Sequence, residues 1–82
     1  MAENDEVVEA KVGDAVIYVD EIGKEHAAIL TNVFGGSYPS VNVVYVSDDE
    51  GLTDPYGRQL VRQTSQVHRN NQSAHGRYWY KP

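Results

Sequence analysis

The chain has 82 residues, with twelve acidic and seven basic side chains and a net charge of −5. It contains no cysteine, which excludes disulfides, thiol chemistry and cysteine-rich zinc sites. A single domain of this size buries roughly 60% of the surface its unfolded chain exposes, so extra support must come from oligomerisation, a larger assembly or a very well packed barrel.

The charge is unevenly placed. All twelve acids lie at or before Asp54, where only Lys11 and Lys24 oppose them; Arg58, Arg62, Arg69, Arg77 and Lys81 follow. Such a split makes an electrostatic dipole unless the fold interleaves the two parts. It suggests pairing between copies, or a basic end that meets an anionic partner. Few lysines and many acids suit an ordinary acidic domain and also a salt-adapted one. No apolar run approaches the ~20 residues of a membrane span. The acidic start Met1-Ala2-Glu3-Asn4-Asp5-Glu6 lacks the features of a signal peptide. The reading is a soluble chain with no membrane contact, whose Asn71-Gln72-Ser73 sequon carries no glycan.

Residues 1–10 read as an acidic, partly disordered lead, and 11–82 as one β-barrel domain. Lys11 to Asp14 is a turn that feeds a β run, Ala15 to Asp20, rich in β-branched and aromatic residues. Glu21-Ile22-Gly23-Lys24 reads as a hairpin loop. Glu25 to Phe34 has helix-compatible alanines, but the preceding hairpin, Thr31, Val33 and the following Gly35-Gly36 favour the returning strand. Ala27, Ile29, Thr31 and Val33 then share one face. After the loop Gly35 to Ser40, Val41 to Val46 is the second strong β run. Ser47 to Gly51 is a charged turn, and Asp54-Pro55-Tyr56-Gly57 fits a type I turn. Leu60 to Val67 alternates partly and is polar enough for an edge strand. His68 to Gly76 is a polar loop, and Arg77 to Tyr80 a short aromatic strand. The fold class is therefore all-β, a small SH3-like barrel or rolled sheet of about five short antiparallel strands.

The Val12-Gly13-Asp14-x-Val16 entry into the first strand resembles SH3-like barrels, including the Tudor and KOW-type domains. Tyr18 to Val33, Val41 to Val46 and Gly76 to Pro82 together resemble small structural proteins of tailed viruses, of the capsid-decoration or head-associated type. That resemblance implies a virion component on or near the capsid. The ending Tyr78-Trp79-Tyr80-Lys81-Pro82 is more basic and richer in tyrosine than that group's, so no residue role is transferred.

Tyr78, Trp79 and Tyr80 between Arg77 and Lys81 form the sharpest local feature. Three readings are open: a final strand with Trp79 in the core, a protein interface, or stacking on nucleic-acid bases. The net charge argues against nucleic acid as the main ligand. Arg58, Arg62 and Arg69 suit either a stripe facing another copy or a solvated edge that blocks unwanted strand pairing. Asp48, Asp49, Glu50 and Asp54 suit a solvated acidic turn, or oxygens for a hard cation, though not at EF-hand spacing. His26, His68 and His75 share no ligand spacing. No nucleophile with a nearby base and no phosphate loop is present. The reading has no catalytic, cofactor or metal residues.

The interface candidates are Arg58, Arg62, Arg69, Arg77, Tyr78, Tyr80 and Lys81. Alternation places apolar side chains on both faces of the first and third β runs, one face for the core and one for a partner. Val16, Ile17, Val43, Val44 and Trp79 are expected in one core. The expected function is non-enzymatic: a virion structural protein binding a capsid or head-associated assembly, as a homo-oligomer. The alternative is a Tudor- or KOW-type nucleic-acid-binding module.

Overall fold

In the computed structural model, which describes residues 8–71 and 76–82, the chain is all-β with no helix among the described residues. Residues 1–7 of the expected lead, two sequon positions (Gln72 and Ser73) and His75 lie outside the described residues. The strands are β1 (Ala15–Val19), β2 (Glu25–Val33), β3 (Val41–Val46), β4 (Thr53–Asp54), β5 (Gly57–Arg58), β6 (Leu60–Gln66) and β7 (Tyr78–Tyr80). Five of them form one antiparallel sheet in the order β6-β3-β2-β1-β7, and β4 and β5 form a separate small hairpin. The expected small SH3-like β fold is present, as a curled half-barrel.

Local chemistry sets the turns. Asp20 accepts the backbone N–H groups of Ile22 and Lys24 on Oδ1, both at 3.0 Å. Gly23 takes φ +86°, open to glycine without strain. This turn joins β1 to β2 in the register Val19 to Glu25 through Ala15 to Ile29. In the small hairpin, Asp54 Oδ1 accepts the Tyr56 N–H at 2.8 Å, the local bond that makes Asp a turn residue.

Two irregularities curl the sheet. The β2–β3 register shifts between Leu30 and Asn32, and the β3–β6 register between Val41 and Val43. At the second, Ser65 has φ +56° and donates its N–H to Asn42 Oδ1 at 2.9 Å. An extra residue on one strand bends that strand and increases its twist. The curl brings the segment after β6 back to β7. There Trp79 donates its N–H to the Val67 carbonyl, and Arg69 donates to the Trp79 carbonyl, both at 3.0 Å. The resulting bridge, His68 to Trp79, is parallel, so β7 is held on both edges.

The core lies inside the curl. Val16, Tyr18, Ala28, Leu30, Val41, Val43 and Trp79 form it, with Val8, Ala10, Val33 and Tyr45 packed against it. Val8 also donates its N–H to the Ser37 carbonyl at 2.9 Å, so the end of the expected lead is part of the packed domain. Each fully buried Val or Leu contributes about 1.5–3 kcal/mol through removal of apolar surface from water.

Two expected core members are corrected. Ile17 and Val44 are only half-buried and stand outside the core cluster. Side chains alternate across a strand, so Ile17 cannot share the inward face with Val16 and Tyr18, nor Val44 with Val43. In β2 the buried set is His26, Ala28 and Leu30, while Ala27 and Ile29 face out. The irregularity after Leu30 changes the phase, which is how Val33 packs against the core although Ile29 does not.

Candidate functional site

Of the sequence-predicted residues, Arg62 on β6 and Tyr78 and Tyr80 on β7 lie in the two edge strands of the sheet; Arg58 lies in the β4–β5 hairpin, and Arg69, Arg77 and Lys81 lie outside the strands. Cross-strand register aligns Arg62, Val44, Ile29 and Ala15 in one row over β6, β3, β2 and β1. A second row aligns Ala27, Ile17 and Tyr80 over β2, β1 and β7. Val46 and Leu60 pair directly beside the first row. Ile29, Val46 and Leu60 are 48%, 53% and 65% exposed. The result is an apolar band with a guanidinium at one margin and a tyrosine at the other. Parity of the strands, with apolar residues at both phases, is the sequence signal for it.

At the β7 margin the candidates engage acidic groups of the same chain. Tyr80 donates its hydroxyl to Glu25 Oε2 at 2.6 Å, and the Arg69 guanidinium lies 4.4 Å over the Tyr80 ring. The Glu25 bond holds the Tyr80 hydroxyl above its ordinary value, because it favours the protonated donor. Lys81 Nζ stands 3.4 Å from Asp14 Oδ2. Asp14 is held below the usual carboxylate range, first by the Lys11 backbone N–H and then by Lys81. Tyr78 is half-buried opposite Val19, and Arg77 is exposed.

At the other margin, Arg58 donates Nη1 to the Ser47 carbonyl at 2.7 Å, so it anchors the β3–β4 loop. Arg62 is exposed on β6. Arg62 and the two tyrosines therefore stand on opposite edge strands, while Arg58 belongs to the separate hairpin. The charge split of the sequence is in part interleaved by the fold, since β7 lies beside β1.

The acids of residues 48–54 do not converge. Asp49 Oδ1 accepts the Gly51 N–H and Asp54 caps its own turn. Asp48 instead joins Asp20 and His26, whose ligand atoms lie within 4.8 Å of one another. His68 is buried, stacked on Tyr38 and edge-on to Trp79. Burial, and then the nearby Arg69 charge, push it below the ordinary imidazole value. Its Nδ1 accepts the Asn70 N–H at 3.0 Å, which is a structural role. A shallow groove of about 450 Å³ runs between Val8–Lys11 and Val33–Pro39. Its titratable residues are Glu9 and Lys11, and they do not form a catalytic pair.

No protein-family model matches the chain, and neither a curated protein nor a solved structure matches it.

Proposed function

We propose that the chain is a non-enzymatic binding module, a structural component of a tailed-virus particle that docks on a capsid or head-associated assembly as a homo-oligomer. The observation that carries the binding role is the outward band of Ala15, Ile17, Ala27, Ile29, Val44, Val46 and Leu60, which no other described element covers. Contiguous exposed apolar surface with a polar rim marks interaction sites in soluble proteins. Arg62 and the Arg69–Tyr80 pair at the margins supply the residue types that anchor protein interfaces. The virion setting rests on the sequence resemblance alone.

The nucleic-acid reading stands second. Lys81 and Tyr80 are already engaged by Asp14 and Glu25, which leaves less free positive charge and aromatic surface for phosphate and base. The test is native mass spectrometry of the chain alone and with single-stranded nucleic acid. A discrete homo-oligomer that Leu60→Glu with Ile29→Glu dissolves supports the proposal. A monomer that binds nucleic acid, with affinity falling linearly in log–log salt, refutes it in favour of the second reading.

A further inference from the structure

His26 is 7% exposed, packed 4.3 Å from the Tyr45 ring centroid, and points both ring nitrogens at carboxylates. Nε2 lies 2.7 Å from Asp20 Oδ2. Asp20 Oδ1 is already occupied by two backbone N–H groups, so Asp20 is an acceptor and Nε2–H is the donor. In the neutral ring this leaves the Nδ1 lone pair facing Asp48 Oδ2 at 3.6 Å. Two acceptors facing each other repel unless a proton on Nδ1 or a metal ion stands between them. The gap exceeds a direct hydrogen bond of about 2.7–3.2 Å. It is close to the roughly 3.4 Å between two ligands that each sit about 2.1 Å from one tetrahedral ion.

Both sides of this notch are fixed. The turn that carries Asp20 is set by its own backbone bonds. On the other side, Ser47 beside Asp48 is buried, accepts Arg58 on its carbonyl and donates its N–H to the Gln59 carbonyl. A second observation points to a ligand at the same end of the sheet. Tyr18, the register partner of His26, is fully buried, and its hydroxyl meets no partner among the described residues. A buried hydroxyl without a partner is costly, and the Tyr18 ring that carries it lies 6.1 Å, centroid to centroid, from the His26 ring.

We infer that this notch is a divalent transition-metal site, in which His26 Nδ1 and Asp48 ligate the ion and Asp20 is a positioning residue on Nε2. A carboxylate on the far nitrogen of a ligating imidazole fixes its tautomer and orientation. One nitrogen and one carboxylate suit Zn²⁺ better than Ca²⁺ or Mg²⁺, which prefer oxygen. Lys24 Nζ, 3.2 Å from Asp48 Oδ2, is the competing cation. Its side chain is half exposed, and an exposed ion pair is worth only about 0–1 kcal/mol, so an ion can displace it.

The experiment is a Zn²⁺ titration of the full chain, followed by calorimetry and by amide and imidazole NMR. Saturable shifts at His26 and Asp48 are expected, with Mg²⁺ producing none. Asp48→Asn changes an exposed side chain, so the variant folds; it should weaken Zn²⁺ binding on the order of tenfold or more. Lys24→Ala should tighten it, which a merely structural ion pair would not do. The proposal is overturned if millimolar Zn²⁺ moves neither residue, if the shifts centre on His68 or His75, or if Asp48→Asn binds as the parent does.

Discussion

Trp79 donates its indole N–H to the carbonyl of Pro39, 3.0 Å away and forty residues earlier in the chain. The bond ties β7 to the loop between β2 and β3, and it places the largest buried side chain over that loop. Trp79→Phe keeps most of the ring but leaves the Pro39 carbonyl without its donor. It should cost about 1–3 kcal/mol. Trp79→Ala also opens a cavity and should cost about 3–5 kcal/mol. Urea unfolding of the three proteins measures both steps; equal midpoints would remove Trp79 from the core.

Stability should fall in two separate acid windows. Burial holds His68 below its ordinary value of 6.5, so the unfolded chain binds that proton first. Its contribution is full above about pH 6.5 and declines as pH falls through the interval down to the folded value. Asp14 and Asp20 are held below 3.8, the former chiefly by the Lys11 N–H and the latter chiefly by His26. Their contributions are full above about pH 4 and are lost below it. Melting temperatures of the parent and of His68→Gln across pH 7.5 to 3 check this. The variant should lose the upper window and keep the lower.

Ser65 holds φ +56° without being glycine. Such a conformation costs a non-glycine residue about 1–2 kcal/mol. Ser65→Gly relieves that strain but adds freedom to the unfolded chain, so it should stabilise by less than about 1 kcal/mol. Ser65→Val, β-branched in the same geometry, should destabilise by about 1–3 kcal/mol. Chemical denaturation that ranks valine above serine would contradict the assigned backbone.

Arg58 and Arg62 should separate on mutation, although the sequence presents them as one stripe. Arg58 makes a charge-assisted bond to the Ser47 carbonyl, so Arg58→Glu should cost about 1–3 kcal/mol of stability. Arg62 is exposed at the margin of the apolar band, so Arg62→Glu should change stability by less than about 0.5 kcal/mol. It should instead slow association, the more so at low salt. Thermal melts and association kinetics at two ionic strengths distinguish the two.

The strands were legible because their signals are local. β1, β3 and β7 are β-branched or aromatic runs with turn residues at their ends, and Gly23 and Pro55 mark the tight turns. The phase of each strand was less legible, because β1 and β3 are apolar at both parities and only packing selects Val16 over Ile17. The phase change within β2 comes from its pairing with β3, which no spacing in 25–33 reports. The Asp20–His26–Asp48 group was not legible at all. Its members come from a turn, a strand and a loop, and the β1–β2 register and the course of the β3–β4 loop bring them together.

The placement of β7 has a consequence for how the chain comes to be folded during synthesis. The ribosome delivers all twelve acids and only two lysines before Pro55, so the emerging chain repels itself. Strands β1 to β3 can pair as hairpins at that stage, yet the interior has no Trp79 to fill it and Asp14 has no Lys81 beside it. The final piece of the sheet must then thread between β1 and the 67–69 segment, a contact spanning most of the chain. Contacts so distant in sequence slow folding, so closure of the domain waits for β7 even where β1 to β3 have already paired.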